Sequence, residues 1–265
     1  MSEMATLAPP MAEQNVPEQT PARFSDALHR YWGYESFRPG QESIVRSIAA
    51  GRDACIIMPT GGGKSLCYQL PAVLNPTTAV VISPLIALMH DQVAQLLQMG
   101  ISAACLNAAT PPEERNHILQ HAATGKYQLL YLSPERIALS GTVDWLKHLP
   151  ISFFAIDEAH CISEWGHDFR PEYRQLSRLR ELFPDRPIAA FTASATQRVR
   201  HDIIELLCLR DPYKHIASFR RPNLRYIVRQ SNARTQDELL LRSVRQVSDG
   251  STIIYAPTIA RVGET

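Results

Sequence analysis

Eight consecutive residues combine types and spacing that few purely structural roles require: Met58-Pro59-Thr60-Gly61-Gly62-Gly63-Lys64-Ser65. Glycines let the backbone curl so that successive N–H groups point inward at anionic oxygens, and the N-terminus of a following helix adds partial positive charge. Such a loop cradles a triphosphate: Thr60, Gly61, Gly62 and Gly63 form the cradle, Lys64 reaches the β/γ-phosphates and the Ser65 hydroxyl ligates Mg²⁺. Met58 stands where the general pattern has glycine. A second candidate is Asp157-Glu158-Ala159-His160. A carboxylate at the end of a buried strand beside a triphosphate holds Mg²⁺, which suits Asp157, and Glu158 would position or deprotonate an attacking water. The plain alternatives are a glycine-rich surface loop and a solvated acidic turn, so the flanking elements decide.

Those elements favour the chemical reading. The run Asp53-Ala54-Cys55-Ile56-Ile57 is β-type and Leu66 to Leu74 reads as the start of a helix, which gives the strand, turn and helix that a phosphate loop needs. Upstream, Phe24, Leu28 and Tyr31 recur at helical spacing, and a second helical pattern runs through Ile44, Val45 and Ile48 to Gly51. Downstream, expected strands at 79–83, 103–106, 127–133, 153–157 and 188–192 alternate with expected helices at 86–99, 112–123, 173–183 and 198–209. This alternation predicts an α/β fold with a mainly parallel sheet covered by helices on both faces. In such sheets ligands sit at the carboxyl ends of strands. The phosphate loop, the acid pair and Thr192-Ala193-Ser194-Ala195-Thr196 all fall there.

Composition sets bounds. A hydrophobic share of 45% with 20% charged residues is ordinary for a globular protein with a sizeable core. No apolar run approaches the ~18 residues that cross a bilayer, and residues 1–20 lack the blocks of a signal peptide, so a cytoplasmic protein is expected. Cys55, Cys67, Cys105, Cys161 and Cys208 show no Cys-x-x-Cys pairing and are expected to be buried, reduced thiols. A formal charge of +1 gives no global electrostatic argument for nucleic acid, so any such site must be local.

The motifs together resemble the RecQ family of superfamily 2 DNA helicases from about Phe24 to Val262. The phosphate loop has a helicase form, and Phe37-Arg38-Pro39-Gly40-Gln41 resembles the family's adenine-reading motif. The resemblance implies that Tyr34 stacks on the base, Gln41 bonds its edge and Arg38 lies nearby. Ser83-Pro84-Leu85-Ile86-Ala87-Leu88-Met89-His90-Asp91-Gln92 and Ser133-Pro134-Glu135-Arg136 resemble segments that grip a single-strand backbone. The run Cys161-Ile162-Ser163-Glu164-Trp165-Gly166-His167-Asp168-Phe169-Arg170-Pro171-Glu172-Tyr173 resembles the aromatic-rich loop that couples DNA occupancy to hydrolysis. Trp165 and Phe169 can stack unpaired bases at ~1–3 kcal/mol each, indifferent to sequence, and Arg170 supplies a cation that Arg174 could extend. His160, Thr192 and Ser194 belong to the coupling group, His160 as a hydrogen-bonded connector rather than a general base. Ser194 stands where the family has Thr and keeps a hydroxyl.

Residues 1–22, rich in Pro, Glu and Gln without apolar periodicity, are expected to form a disordered leader, and the resemblance implies RecA-like lobes: a first ATP-binding lobe at 23–210, a linker at 211–222 and the start of a second lobe at 223–265. Strands at 226–228 and 252–255 and a helix at 237–247 are expected there. About forty residues follow Asn223, against ~100 or more for a complete lobe, so a truncated second lobe is expected, without the arginine finger or the family's zinc module. The implied function is an ATP- and Mg²⁺-dependent 3′-to-5′ DNA helicase acting on single-stranded or forked DNA in recombination and repair, at the bacterial nucleoid. The competing expectation is a nucleotide-gated DNA-binding fragment with little ATPase and no unwinding. An RNA helicase of the Asp-Glu-Ala-His type shares the box but not the loop at 165–173.

Overall fold

Apolar runs become buried strands wherever helices can cover both faces, and the described residues of this chain hold seven strands. In the computed structural model, which describes residues 21–218, 224–232, 235–247 and 250–255, they are β1 Ala54–Ile57, β2 Thr78–Ile82, β3 Ala103–Leu106, β4 Leu129–Leu132, β5 Ile151–Ile156, β6 Ile188–Thr192 and β7 Tyr213–Ile216. They form one sheet in the order β3-β4-β2-β5-β6-β1-β7, every neighbouring pair parallel. The expected α/β fold with a parallel sheet is what the chain adopts.

The helices are α1 Pro21–Ala27, continued by a wider turn at Leu28–Trp32, α2 Gln41–Ala49, α3 Lys64–Leu74, α4 Ile86–Gln98, α5 Pro112–Ala123, α6 Pro134–Ala138, α7 Ser140–Leu146, α8 Pro171–Arg174, α9 Arg178–Leu182, α10 Gln197–Leu206 and α11 Gln236–Arg245. Strand periodicity assigns side chains to two cores. Ala54 and Ile56 of β1 face Ile44, Ile48, Tyr68, Met89 and Leu96 of α2, α3 and α4, whereas Cys55 and Ile57 join Ile118, Ile137, Leu176, Val199 and Ile203 on the other side. Both faces are therefore covered. Phe24 and Leu28 pack on Val45, Leu66 and Leu70 in a smaller cluster that ties the amino-terminal helix to α2 and α3.

Several expectations need correction. Tyr213–Ile216, assigned to a linker, is an edge strand paired with β1. Its alternating half-buried and exposed residues, with Lys214 outward, hide it from a search for apolar runs. The helix expected at 173–183 is broken: Gln175–Ser177 is a 3₁₀ turn between α8 and α9. Cys208 is exposed, unlike the other four cysteines.

The chain divides into two units, Met1–Phe219 and Arg220–Thr265. In the second, α11 occupies the expected helical stretch, but the described residues at 226–228 and 252–255 form no strand. Of the expected leader at 1–22, residues 1–20 lie outside the described residues and Pro21 and Ala22 open α1, and of the expected linker at 211–222, residues 219–222 lie outside them.

Candidate nucleotide and nucleic-acid site

Strand order places the carboxyl ends of β5, β6 and β1 side by side, so segments about 130 residues apart in sequence meet. The loop after β1 needs glycine for stated reasons. Gly61 and Gly63 have φ of 79° and 82°, in the left-handed region. A Cβ on Gly62 would lie 2.9 Å from the Pro59 carbonyl, and one on Gly63 would collide with the Gln41 amide. Lys64 opens α3 and its Nζ donates to the Met58 carbonyl at 3.2 Å, folded over the loop.

The 38–41 segment braces that loop. Arg38 Nη1 donates to the Gly61 carbonyl at 2.6 Å, and Gln41 Nε2 donates to the Gly62 and Gly63 carbonyls at 3.3 Å. Gln41 Oε1 accepts from Arg38 N at 2.9 Å. The amide expected to meet a base edge thus holds the loop here. Tyr34, half exposed, lines a cavity of about 220 Å³ with Arg38, Gln41, Gly63 and Ser65.

After β5, Asp157 is 4% exposed, and its Oδ1 accepts from Glu158 N at 3.0 Å. Burial, then the neighbouring Glu158 charge, pushes its carboxyl up to about 6. Tyr173, which sequence reasoning did not single out, fixes this strand end: its hydroxyl donates to the Asp157 carbonyl at 2.8 Å. Glu158 adopts a left-handed conformation, φ 46°, uncommon for a residue with a Cβ and of the kind that gathers at functional sites. A hydrogen bond from His160 holds the Glu158 carboxyl below its usual range.

His160 joins two strand ends. Its Nδ1 lies 2.8 Å from Thr192 Oγ1 and 3.3 Å from Glu158 Oε2. Thr192 Oγ1 donates to the Ser194 carbonyl at 3.2 Å, which leaves it as acceptor toward the imidazole. A carboxylate on the same nitrogen assigns the proton to Nδ1 as well. His160 therefore donates to Glu158 and Thr192, as its connector role required.

The aromatic loop packs beside this junction. The His167 ring stacks on His160 at 4.0 Å. His160, Trp165, Gly166, His167 and Ser194 line a cavity of about 370 Å³. Trp165 is 61% exposed, and the Arg198 guanidinium of α10 lies 3.6 Å from its ring centroid, a contact that no motif or spacing pointed to. Ser163 Oγ donates to Asp202 at 2.5 Å, anchoring the loop to α10. Phe169 is half-buried beneath Arg174, which pairs with Glu164 at 2.8 Å rather than lying free as a basic extension. Arg170 pairs with Asp168 at 3.2 Å and reaches the Pro84 carbonyl at 3.5 Å, which ties this loop to the 83–92 segment. Ser83 and Pro84 are buried, and the exposed residues of the 83–92 segment are Leu85, Ile86, Ala87, Leu88, His90 and Asp91. Ser133 caps α6 by accepting from Arg136 N at 3.3 Å.

The donor set suits a divalent cation: a hydroxyl at Ser65 and a nearly buried carboxylate at Asp157 are hard oxygen ligands. Among the described residues no cluster of three or more His, Cys, Asp and Glu forms an all-protein metal site. Magnesium, which keeps waters and phosphate oxygens as ligands, needs none.

Comparison with known proteins agrees. The DEAD/DEAH box helicase family model matches residues 38–203. The chain is 46% identical over 237 residues to the ATP-dependent DNA helicase RecQ of Pasteurella multocida, covering 89% of this chain and 37% of that protein. It is 43% identical over 239 residues to the probable ATP-dependent DNA helicase RecS of Bacillus subtilis, covering 89% and 47%. Among solved structures, the helicase MrfA superposes with a TM-score of 0.68 at 18% identity over 94% of this chain and 40% of that one, a likeness of fold. The chain thus spans less than half the length of these curated relatives.

Proposed function

We propose, from the premise that this chain belongs to the DEAD/DEAH box helicase family and to its RecQ-type members, that it carries the first motor lobe of an ATP-dependent 3′-to-5′ DNA helicase acting in recombination and repair. The observation that supports this most directly is the contact of Glu158, His160 and Thr192, which links the acid pair at the end of β5 to the end of β6, beside β1 and its phosphate loop. Residues from 220 onward are proposed as the start of a second lobe.

In this reading the loop amides and Lys64 hold the β/γ-phosphates, and Ser65 and Asp157 hold Mg²⁺, which supplies charge neutralisation at those oxygens. Glu158, kept ionised by His160, orients or deprotonates the attacking water. Tyr34 stacks on the adenine. Gln41 and Arg38 shape the loop, and Gln41 exchanges a carbonyl partner for the base edge. Trp165 and Phe169 stack on bases of a single strand, and Arg170 orients their loop against the 83–92 segment. Among the described residues no helix is long and apolar enough to cross a membrane, and the proposed place of action is DNA in the cytoplasm.

The test is ATP hydrolysis by the 265-residue chain with and without single-stranded DNA. Turnover stimulated by DNA, abolished in Lys64→Ala and no longer DNA-responsive in Trp165→Ala, is the expected result. Nucleotide binding without turnover above Lys64→Ala would instead identify a nucleotide-gated DNA-binding fragment. Loss of neither binding nor turnover in Lys64→Ala would sink both.

A further inference from the structure

Asn107 opens the turn after β3, is 3% exposed, and has every one of its hydrogen-bonding groups in use. Its N–H donates to Thr110 Oγ1 at 3.0 Å, and its carbonyl accepts from Thr110 N at 3.3 Å. Its side-chain oxygen accepts from Ala109 N at 2.8 Å. Its amide nitrogen lies 3.5 Å from Cys105 Sγ and 3.3 Å from Nε2 of His90, an exposed residue in the second turn of α4. This last bond runs between two separate connections, because α4 follows β2 and the turn follows β3. In the sheet β4 lies between those strands and leads into the 133–136 segment. The pair therefore stands among the segments that resemble grips on a single strand.

The network assigns a proton. A backbone N–H can only donate, so the side-chain atom facing Ala109 N is the oxygen, and the one facing His90 is the NH₂ group. That group only donates, so His90 Nε2 accepts, and the neutral imidazole carries its proton on Nδ1. Among the described residues Nδ1 has no hydrogen-bond partner. One side of an exposed ring is thus tied to a buried amide, and the other carries an uncharged donor with no protein acceptor. Fixing an exposed ring costs rotamer entropy, which packing of the turn alone does not demand.

We propose that His90 donates Nδ1–H to a phosphate oxygen of the bound single strand, and that Asn107 is the positioning residue that selects this tautomer. Phosphate oxygens take a large share of protein–DNA hydrogen bonds and fix the register of the strand without reading its sequence. An uncharged donor adds such a contact without displacing a counterion, so it leaves the salt dependence of binding as it is. The inference rests on the proposed function of the 83–92 segment as a strand contact. It adds a second residue, outside that segment, on which the contact depends.

The experiment has two arms on the 265-residue chain at pH 8. Long-range ¹H–¹⁵N NMR, with the His90 ring assigned by its loss in His90→Ala, reads which nitrogen carries the proton. Fluorescence anisotropy with a labelled oligo(dT) strand, repeated over a range of salt, reads affinity for the parent, His90→Ala, Asn107→Asp and His90→Ala/Asn107→Asp. Asn107→Asp keeps the acceptor for Ala109 N but turns a second acceptor on His90, which moves the ring proton to Nε2 and leaves a lone pair facing the phosphate. The expected results are a proton on Nδ1 in the parent and on Nε2 in Asn107→Asp. His90→Ala should bind about fivefold more weakly, as for one uncharged hydrogen bond, with an unchanged salt slope. Asn107→Asp should weaken binding more in the parent than in the His90→Ala background, where only its charge acts. A parent ring protonated on Nε2 overturns the inference, as does a His90→Ala variant that binds like the parent. A salt slope shallower by about one in His90→Ala marks a cationic contact and overturns it too. Equal weakening by Asn107→Asp in both backgrounds assigns Asn107 a merely structural role and does the same. If the parent chain binds no strand at all, the proposed function falls together with this inference, whereas each result above removes the inference alone.

Discussion

Replacing Asp157 with asparagine should stabilise the chain in the absence of nucleotide and metal, and only above a definite pH. Its carboxyl is 4% exposed, receives one backbone N–H and lies beside Glu158, whose own carboxyl is held below its usual range by the hydrogen bond from His160. Burial and that neighbour raise it from 3.8 to about 6. Because the folded-state value is raised for an acid, the native chain keeps a proton that the unfolded chain releases. Stability therefore falls as pH rises from about 4 to about 6, and the full penalty persists above that. A difference near two pH units corresponds to about 3 kcal/mol. The Asp157→Asn variant, with a neutral amide in place of the acid, carries no such penalty at any pH. Urea unfolding from about pH 4.5 to 8, followed by tryptophan fluorescence, is the assay, since Trp32, Trp145 and Trp165 all lie in the first unit. The expected outcome is a variant more stable than the parent by about 2–3 kcal/mol at pH 8, with the gap closing toward about pH 4.5. A gap of constant size across that range would refute the reasoning, because only a titrating group can produce the slope.

Three further outcomes follow from single contacts. Gly63→Ala forces a Cβ into the Gln41 amide at a left-handed backbone position, so nucleotide affinity should drop and stability fall by roughly 1–2 kcal/mol; unchanged binding and melting would contradict the loop geometry. Arg198→Ala removes the cation over Trp165, a contact of about 0.5–1 kcal/mol, and should raise acrylamide quenching of that indole in a Trp32→Phe, Trp145→Phe background, whereas identical quenching would mean the stack does not form in solution. Arg180→Met leaves Asp53 buried with only the Ile188 and Arg210 backbone N–H groups and should cost roughly 3–5 kcal/mol in urea unfolding, while a loss under ~1 kcal/mol would show that water reaches the carboxylate.

The parts of this structure that were legible in the sequence are those where local chemistry has one solution. A strand followed by three glycines, lysine, serine and a helix has few uses, and the expected downstream strands end within one residue of their observed ends at Ile82, Leu106, Leu132, Ile156 and Thr192. What stayed hidden depends on packing between distant elements. Tyr213–Ile216 carries no apolar run because an edge strand has one covered side. The break at Gln175–Ser177 leaves no mark in the apolar spacing, because Tyr173 and Leu176, both in the core, lie three apart as a continuous helix would also place them. The bond from Tyr173 to the Asp157 carbonyl, the Arg198 stack on Trp165 and the bond from Tyr68 to Gln92 each join residues whose types are ordinary when taken singly.

Those contacts between elements also indicate how occupancy at the aromatic loop would reach the acid pair. Arg198 lies on α10, whose first turn is capped by Thr196, accepting from Val199 N at 3.3 Å, and Thr196 follows Thr192 and Ser194 on the segment after β6. Thr192 accepts the His160 proton that also holds Glu158. A base stacking on the face of Trp165 that Arg198 covers must displace the guanidinium, because one face cannot hold both. On the proposed function, that exchange is the two-state element, and the 192–198 segment carries its effect to His160 through bonded neighbours rather than through a long network. His167, whose ring stacks on His160, also helps hold the Glu158 carboxyl down, but less than the hydrogen bond from His160 does, so it offers only a weaker second route. The consequence is an order of importance: Thr192→Val, which keeps the shape and removes the acceptor, should uncouple hydrolysis from DNA more completely than His167→Leu, and DNA-stimulated turnover measured side by side in the two variants would refute this route if His167→Leu proved the more damaging.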